Sequence, residues 1–327
     1  IIPRLSAQEL TQISAQWPPL KGLITIAPAK LHELLRVPFN IRLLAELLGE
    51  GVAAVDLGPI QTQLELLDRY WKHRVIRGDQ HGDARESALK RACEAMVRGR
   101  VLRVDRSLLA ESRFNQHLRE LLSINVLVEW QTSPTAAPER YILTFSHHAL
   151  FDYAAARLLL RGTTENLVER LQNDPELTLV IRPSLILHFN YLWMRDEYHD
   201  EFWNLTFALI QLGNFPEIGK LIGPLVAAES TTRLEDLNKL SASLGNSNAT
   251  VKIGAEKAFQ HLVGALLVNQ PIERPLIGHP SGPWCELLEH VSRSLEDATA
   301  FVIRPLLSTV CMQPESMTTS QRVLVGK

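Results

Sequence analysis

Residues 125–160 read NVLVEWQTSPTAAPERYILTFSHHALFDYAAARLLL. Two runs rich in β-branched and aromatic residues, NVLVEW and RYILTF, flank a polar loop with two prolines, the pattern of a β-hairpin. After the second run the composition switches to alanine and leucine, FDYAAARLLL, which predicts a helix leaving the hairpin without a linker. His147 and His148 sit at that junction. Adjacent side chains diverge in a strand and spread by about 100° on a helix, which opposes joint metal ligation with Asp152. Taken alone, the pair reads as one ring in the seam and one in water.

Upstream, ESALKRACEAMVRG is an amphipathic helix ending at Gly99, and SLLAESRF and QHLRELLSI read as two further short helices. Three helices followed by a hairpin predict a winged helix over 81–162. Residues 1–80 predict a small helical bundle. SAQEL carries a serine with a glutamate three residues on, a capping-box signature, and LHELLRVPFNIRLLAELLGEG carries leucines at helical spacing. Pro38 lies inside that pattern and should start a new helix, because an interior position needs the N–H that proline lacks. PIQTQLELLDRYWKHRVIRG predicts a helix opening at Pro59, and the turn RGDQHGD after it reads as a domain boundary. Beyond Gly162, leucine-rich stretches such as ENLVERL, EFWNLTFALIQLG, GAEKAFQHLVGALL and AFVIRPLLSTV alternate with short breaks. They predict α-solenoid-like helical repeats over 163–327, a region suited to contact. The fold expected is therefore mainly α, with a small helical bundle, a winged helix with one β-hairpin, and helical repeats.

Composition agrees with helices packed on helices, since 46% of the 327 residues are hydrophobic but only 6% aromatic. The net charge of −2 divides into +4 up to Gly162 and −6 after it, too mild an asymmetry to mark a nucleic-acid-binding chain. Cys93, Cys285 and Cys311 are odd in number and lack CxxC spacing, which opposes a disulfide framework and a structural zinc site. No apolar run approaches the roughly 20 residues that span a bilayer, and IIPRLSAQEL lacks the parts of a signal peptide. A cytoplasmic setting away from membranes is expected. The sequence starts at Ile1 without a methionine, and we expect it to be part of a longer protein.

Three motifs have a stronger bland reading than a chemical one. GNFPEIGKLIG at 213–223 approaches a phosphate loop, but Gly213 is one residue too far from Gly219 and Leu221 replaces the magnesium-holding hydroxyl residue. A turn between helices accounts for it better. MRDEYHDEFW groups Asp196, Glu197, His199, Asp200 and Glu201, yet successive helical residues point different ways, so a solvated turn is expected. The basic run from Arg85 to Arg106 could meet DNA phosphates. However, the helix that would enter a groove offers only Asn115, Gln116, His117 and Arg119, and the wing loop QTSPTAAPE has no Lys or Arg.

The winged helix ends in Phe-x-His-x-x-x-x-(Asp/Glu)-aromatic-x-Ala-Ala, here Phe145, His147, Asp152, Tyr153, Ala155 and Ala156. This resembles the end of the winged-helix domain of STAND-class signalling NTPases, including NACHT and NLR-like proteins. LLRVPFNIRLLAELL resembles the proline-bearing helix start of the helical lid that follows their nucleotide-binding core. The order of lid, winged helix and repeats matches as well. The resemblance implies ATP or ADP as cofactor, Pro38 against the adenine, and His147 on the β-phosphate of bound ADP; His148 has no counterpart. It also implies a regulatory switch in which the repeats bind a protein or ligand signal and activation brings homo-oligomers. The Walker A lysine and Walker B acid are absent from these residues, so no catalytic site is expected in them and no hydrolysis of ATP by them alone. Nucleic acid and membrane are not expected partners. A helical-repeat scaffold with a structural winged helix, and a winged-helix DNA-binding regulator, are the alternatives.

Overall fold

The computed structural model describes residues 4–109, 112–135, 137–268 and 282–292, with isolated positions between 304 and 323. The chain is mainly helical with one small antiparallel sheet, and it divides into two compact units, 1–159 and 160–327.

In the first unit, α1 (Ala7–Gln16) opens on the expected capping box: Ser6 Oγ accepts the Glu9 N–H at 3.2 Å, and the Glu9 carboxylate accepts the Ser6 N–H at 2.7 Å. Helices α2 (Pro18–Ile26), α3 (Ala29–Leu35) and α4 (Pro38–Gly49) follow, two of them with proline in the first turn. Pro38 thus starts a new helix, as its missing N–H requires. After the single turn α5 (Ala54–Leu57), α6 (Gln63–Trp71) begins four residues later than Pro59 suggested. Thr62 and Glu65 form a second capping box there, so the best-capped position and not the proline sets the helix start. A π-helical turn, Lys72–Ile76, extends α6.

The anticipated boundary at RGDQHGD falls inside this unit. Arg85 on α7 (Gly82–Gly99) is 2% exposed and reaches back across the turn, donating to the carbonyls of Val75 at 2.5 Å and Ile76 at 3.0 Å and to Asp79 at 2.6 Å. Its remaining nitrogen donates to Glu120 at 2.9 Å, tying α7 to α8 (Ser112–Ser123). Gly82 lies so near Ile76 that an added Cβ would sit 2.9 Å from that carbonyl oxygen. Where two short helices were expected before the hairpin, a 3-10 turn at Arg106–Leu109 and the one helix α8 stand instead.

The sheet has three strands where the sequence suggested two. In β1 (Val104–Asp105), β2 (Leu127–Trp130) and β3 (Ile142–Phe145) the order is β1-β3-β2, all antiparallel, with Leu127 opposite Phe145 and Val104 opposite Leu143. Two residues cannot display a period-2 pattern, so β1 has no sequence signature. Asn125 takes a left-handed φ of 56° between α8 and β2, a conformation that asparagine tolerates. Helix α9 (His148–Ala155) leaves β3 after two residues and ends in a π-helical stretch to Leu160. The buried face of the unit gathers Tyr70, Trp71, Phe151 and Tyr153 with Cys93, whose thiol burial pushes upward and keeps protonated.

The second unit is built from α10 (Thr164–Asn173), α11 (Leu177–Val180), α12 (Arg182–Arg195), α13 (Asp200–Gln211), α14 (Glu217–Lys220) and α15 (Ile222–Ser230). A 3-10 turn at Leu234–Leu237 leads to α16 (Asn238–Leu244), α17 (Ala249–Val268) and α18 (Gly282–Ser292). Helix α17 packs against α13, α15 and α16, and α12 packs against α13 and α15. Phe189, Trp193, Phe202 and Trp203 interlock edge to face in the core. The stretch AFVIRPLLSTV, expected to be a further helix, lies largely outside the described residues. No described helix is long and apolar enough to cross a membrane.

Candidate functional site

His147 is met by Phe39, the residue that follows Pro38. Pro38 is the first residue of α4, half-buried, and its neighbour Phe39 is buried. The Phe39 ring stacks on the His147 imidazole at 3.6 Å between centroids and 11° between planes. His147 is the N-cap of α9: its backbone is extended and its Nδ1 accepts the Ala149 N–H at 3.1 Å. An imidazole nitrogen that accepts a hydrogen bond carries no proton, so the neutral ring bears its hydrogen on Nε2.

The surroundings keep the ring neutral. Burial, with the His148 and Arg42 charges beside it, lowers the His147 pKa to about 4. Arg42, one turn after Pro38, places Nη2 3.5 Å from Ser146 Oγ and pairs through Nε with Glu46 at 2.8 Å. Glu46 also accepts from Tyr70 Oη at 2.7 Å. His148 is exposed, its ring 4.1 Å from that of His147. The seam therefore presents the Nε2–H of a neutral histidine, a partly compensated guanidinium and the Ser146 hydroxyl beside the Phe39 ring, with Pro38 the preceding residue in sequence. These are donors suited to an anion and an apolar edge suited to a flat ring. Among the described residues no group of three His, Cys, Asp or Glu side chains could hold a metal ion. Arg42, Ser146 and Phe39 had not been singled out in the sequence; the only signal was that Phe39 and Arg42 follow Pro38 by one and four residues.

The other motifs resolve into structural roles. In the phosphate-loop look-alike, the added Cβ of Gly219 would collide with Phe215 and Thr178, and that of Gly223 with Thr206. These glycines admit close packing, and Lys220 pairs with Glu217 at 2.7 Å. In MRDEYHDEFW the carboxylates diverge as expected. Glu197 pairs with Arg233, Glu201 with Arg195 and Asp200 with Lys239, while Asp196 accepts the backbone N–H groups of Tyr198 and Asp200. His199 departs from the solvated reading. It is buried at a left-handed φ of 55°, stacked 3.9 Å from Trp193, with Nε2 3.3 Å from Asp236.

Much of the basic run is committed within the protein. Besides buried Arg85, Arg91 donates to the Leu108 carbonyl at 3.1 Å and Arg106 pairs with Glu129 at 2.7 Å, while Lys90, Arg98, Arg100 and Arg103 are exposed. On α8, His117 is buried with Nδ1 3.4 Å from Glu120, and Gln116 donates to the same carboxylate at 3.1 Å. No family model matches the chain, and neither does any curated protein.

Proposed function

We propose that this chain is the regulatory and sensor portion of a nucleotide-gated signalling switch of the STAND class, in which the seam between α4 and α9 closes on ADP. The observation that carries the reading is the Phe39–His147 stack. It brings the residue after a helix-starting proline against a histidine whose Nδ1 is used for capping and whose Nε2–H is left as a donor. A β-phosphate oxygen accepts such a hydrogen, and the proline ring offers an apolar contact to adenine without a competing donor. The P-loop that would bind the rest of the nucleotide is not in these 327 residues and would come from sequence outside them.

The winged-helix reading of 81–162 is supported by helices α7 and α8 followed by the sheet of β2 and β3, to which β1 adds a third strand. The repeat reading of the second unit is supported by its succession of packed helices. Release of the histidine on exchange to ATP, or on a signal at the repeats, would shift a two-state equilibrium, for which a coupling of about 1–3 kcal/mol suffices. DNA recognition has less support, because His117 is buried on the helix that would face a groove and Arg85 is locked inside the fold.

The test is ADP binding to the full-length protein carrying His147→Asn. Asparagine is a good N-cap, so α9 keeps its start while the ring donor is lost. Loss of a hydrogen bond to a charged oxygen predicts ADP affinity weakened about tenfold or more. Unchanged affinity, or a full-length protein that binds no ADP, would end the nucleotide reading.

A further inference from the structure

The second unit contains a cavity of about 300 Å³ between the start of α12, the α14–α15 turn and the middle of α17. It is lined by Ile218, Leu221 and Leu225 from the α14–α15 segment, His261 and Gly264 from α17, and Arg182 from α12. This volume is at the lower bound of ligand pockets, which are typically apolar with a few placed polar groups. Ile218 and Leu221 are among the exposed large apolar side chains of the protein, at 36% and 41% exposure, and they rim this opening.

Arg182 is the anomaly. Its Nε is buried without a hydrogen-bond partner among the described residues. A desolvated guanidinium nitrogen left unpaired is costly, and Arg182 is also the first residue of the 14-residue helix α12, where the helix dipole favours negative charge. Both local fields call for an anion. Lys220 and Lys257 add positive charge near His261 against the single carboxylate of Glu217, and burial keeps His261 below its usual range and uncharged.

Gly264 supplies an independent observation. It lies inside α17, where glycine has poorer helix propensity than alanine, and a Cβ added to it meets nothing within 4 Å. The space it leaves open belongs to the cavity.

We propose that this cavity binds a small monocarboxylate with an apolar chain, the carboxylate on Arg182 and the chain along Ile218, Leu221 and Leu225 past Gly264. As a signal site it rests on the reading of the second unit as a sensor. The binding itself does not, and it is measured separately from ADP retention, so either can fail alone.

Calorimetry on the full 327-residue chain with octanoate, octanol and octylammonium tests it. Octanoate should bind at least about tenfold more tightly than octanol, since its charge-assisted bond is lost in the alcohol, and octylammonium should not bind. Arg182→Met should weaken octanoate to the level of octanol. Gly264→Leu should abolish binding of both while raising Tm, because it fills open space and improves helix propensity. Equal affinity for octanol and octanoate would overturn the role of Arg182, and undiminished binding to Gly264→Leu would overturn the location. Preference by tenfold or more for an acetylated apolar tripeptide with a free C-terminus would overturn the small-molecule assignment.

Discussion

Two arginines, one in each unit, show how the same side chain serves opposite ends. Arg85 in the first unit is 2% exposed and has carbonyl or carboxylate oxygens on each of its three nitrogens. Arg182 in the second unit lines the cavity and is partly exposed, while its Nε is buried with no hydrogen-bond partner among the described residues. A satisfied buried charge clamps its neighbours, because removing it strands their oxygens; an unsatisfied one leaves the fold little to lose and a ligand something to gain.

The comparison breaks first if the two arginines respond alike to removal. Arg85→Met removes a donor from each of Asp79, Glu120 and two carbonyls and should cost about 3–5 kcal/mol in urea unfolding. Arg182→Met should leave stability unchanged or raise it, since the buried Nε has no hydrogen-bond partner to lose among the described residues. Similar losses from both would mean that Arg182 has a structural partner.

Acid sensitivity sharpens the same contrast with histidines. Burial lowers the pKa of His147 in the first unit and His188 in the second to about 4. A histidine depressed below its unfolded value of about 6.5 takes up a proton more readily when unfolded. Its contribution is therefore complete above pH 6.5 and is lost as the pH falls toward 4. Removing the half-buried His147 by His147→Asn should shrink the stability lost between pH 7 and 4 by about 1 kcal/mol after solvent screening, as urea midpoints at the two pH values would show. At neutral pH, His147→Ala should cost about 1 kcal/mol through the lost N-cap and His147→Asn close to nothing. The smallest effect belongs to Arg195–Glu201 in the second unit, whose side chains are 53% and 49% exposed: Arg195→Ala should move stability by less than about 0.5 kcal/mol.

Helix starts were legible because their causes are local. The Ser6 capping box involves residues three apart, and Pro38 needs only its own missing N–H to open α4, whereas the equally local Thr62 box was passed over for Pro59. Where local signals competed, the stronger took the position, so Thr62 displaced Pro59 as the start of α6. The two strands of NVLVEW and RYILTF were legible from their composition, whereas the two-residue β1 exists only because β3 offers it an edge.

The candidate sites were legible to a smaller degree. Only the family resemblance marked Pro38 and His147 as worth attention; the sequence reading made His199 part of a polar turn and set no mark on Arg182. Packing decided that Phe39 covers His147, that Arg42 reaches Ser146 across 104 residues, and that His199 is buried on Asp236 across 37. Capping, proline geometry and side-chain period act within one turn of chain, so the sequence displays them directly. Burial, charge pairing and open space depend on which distant segments arrive at the same place, and only the folded chain brings them there.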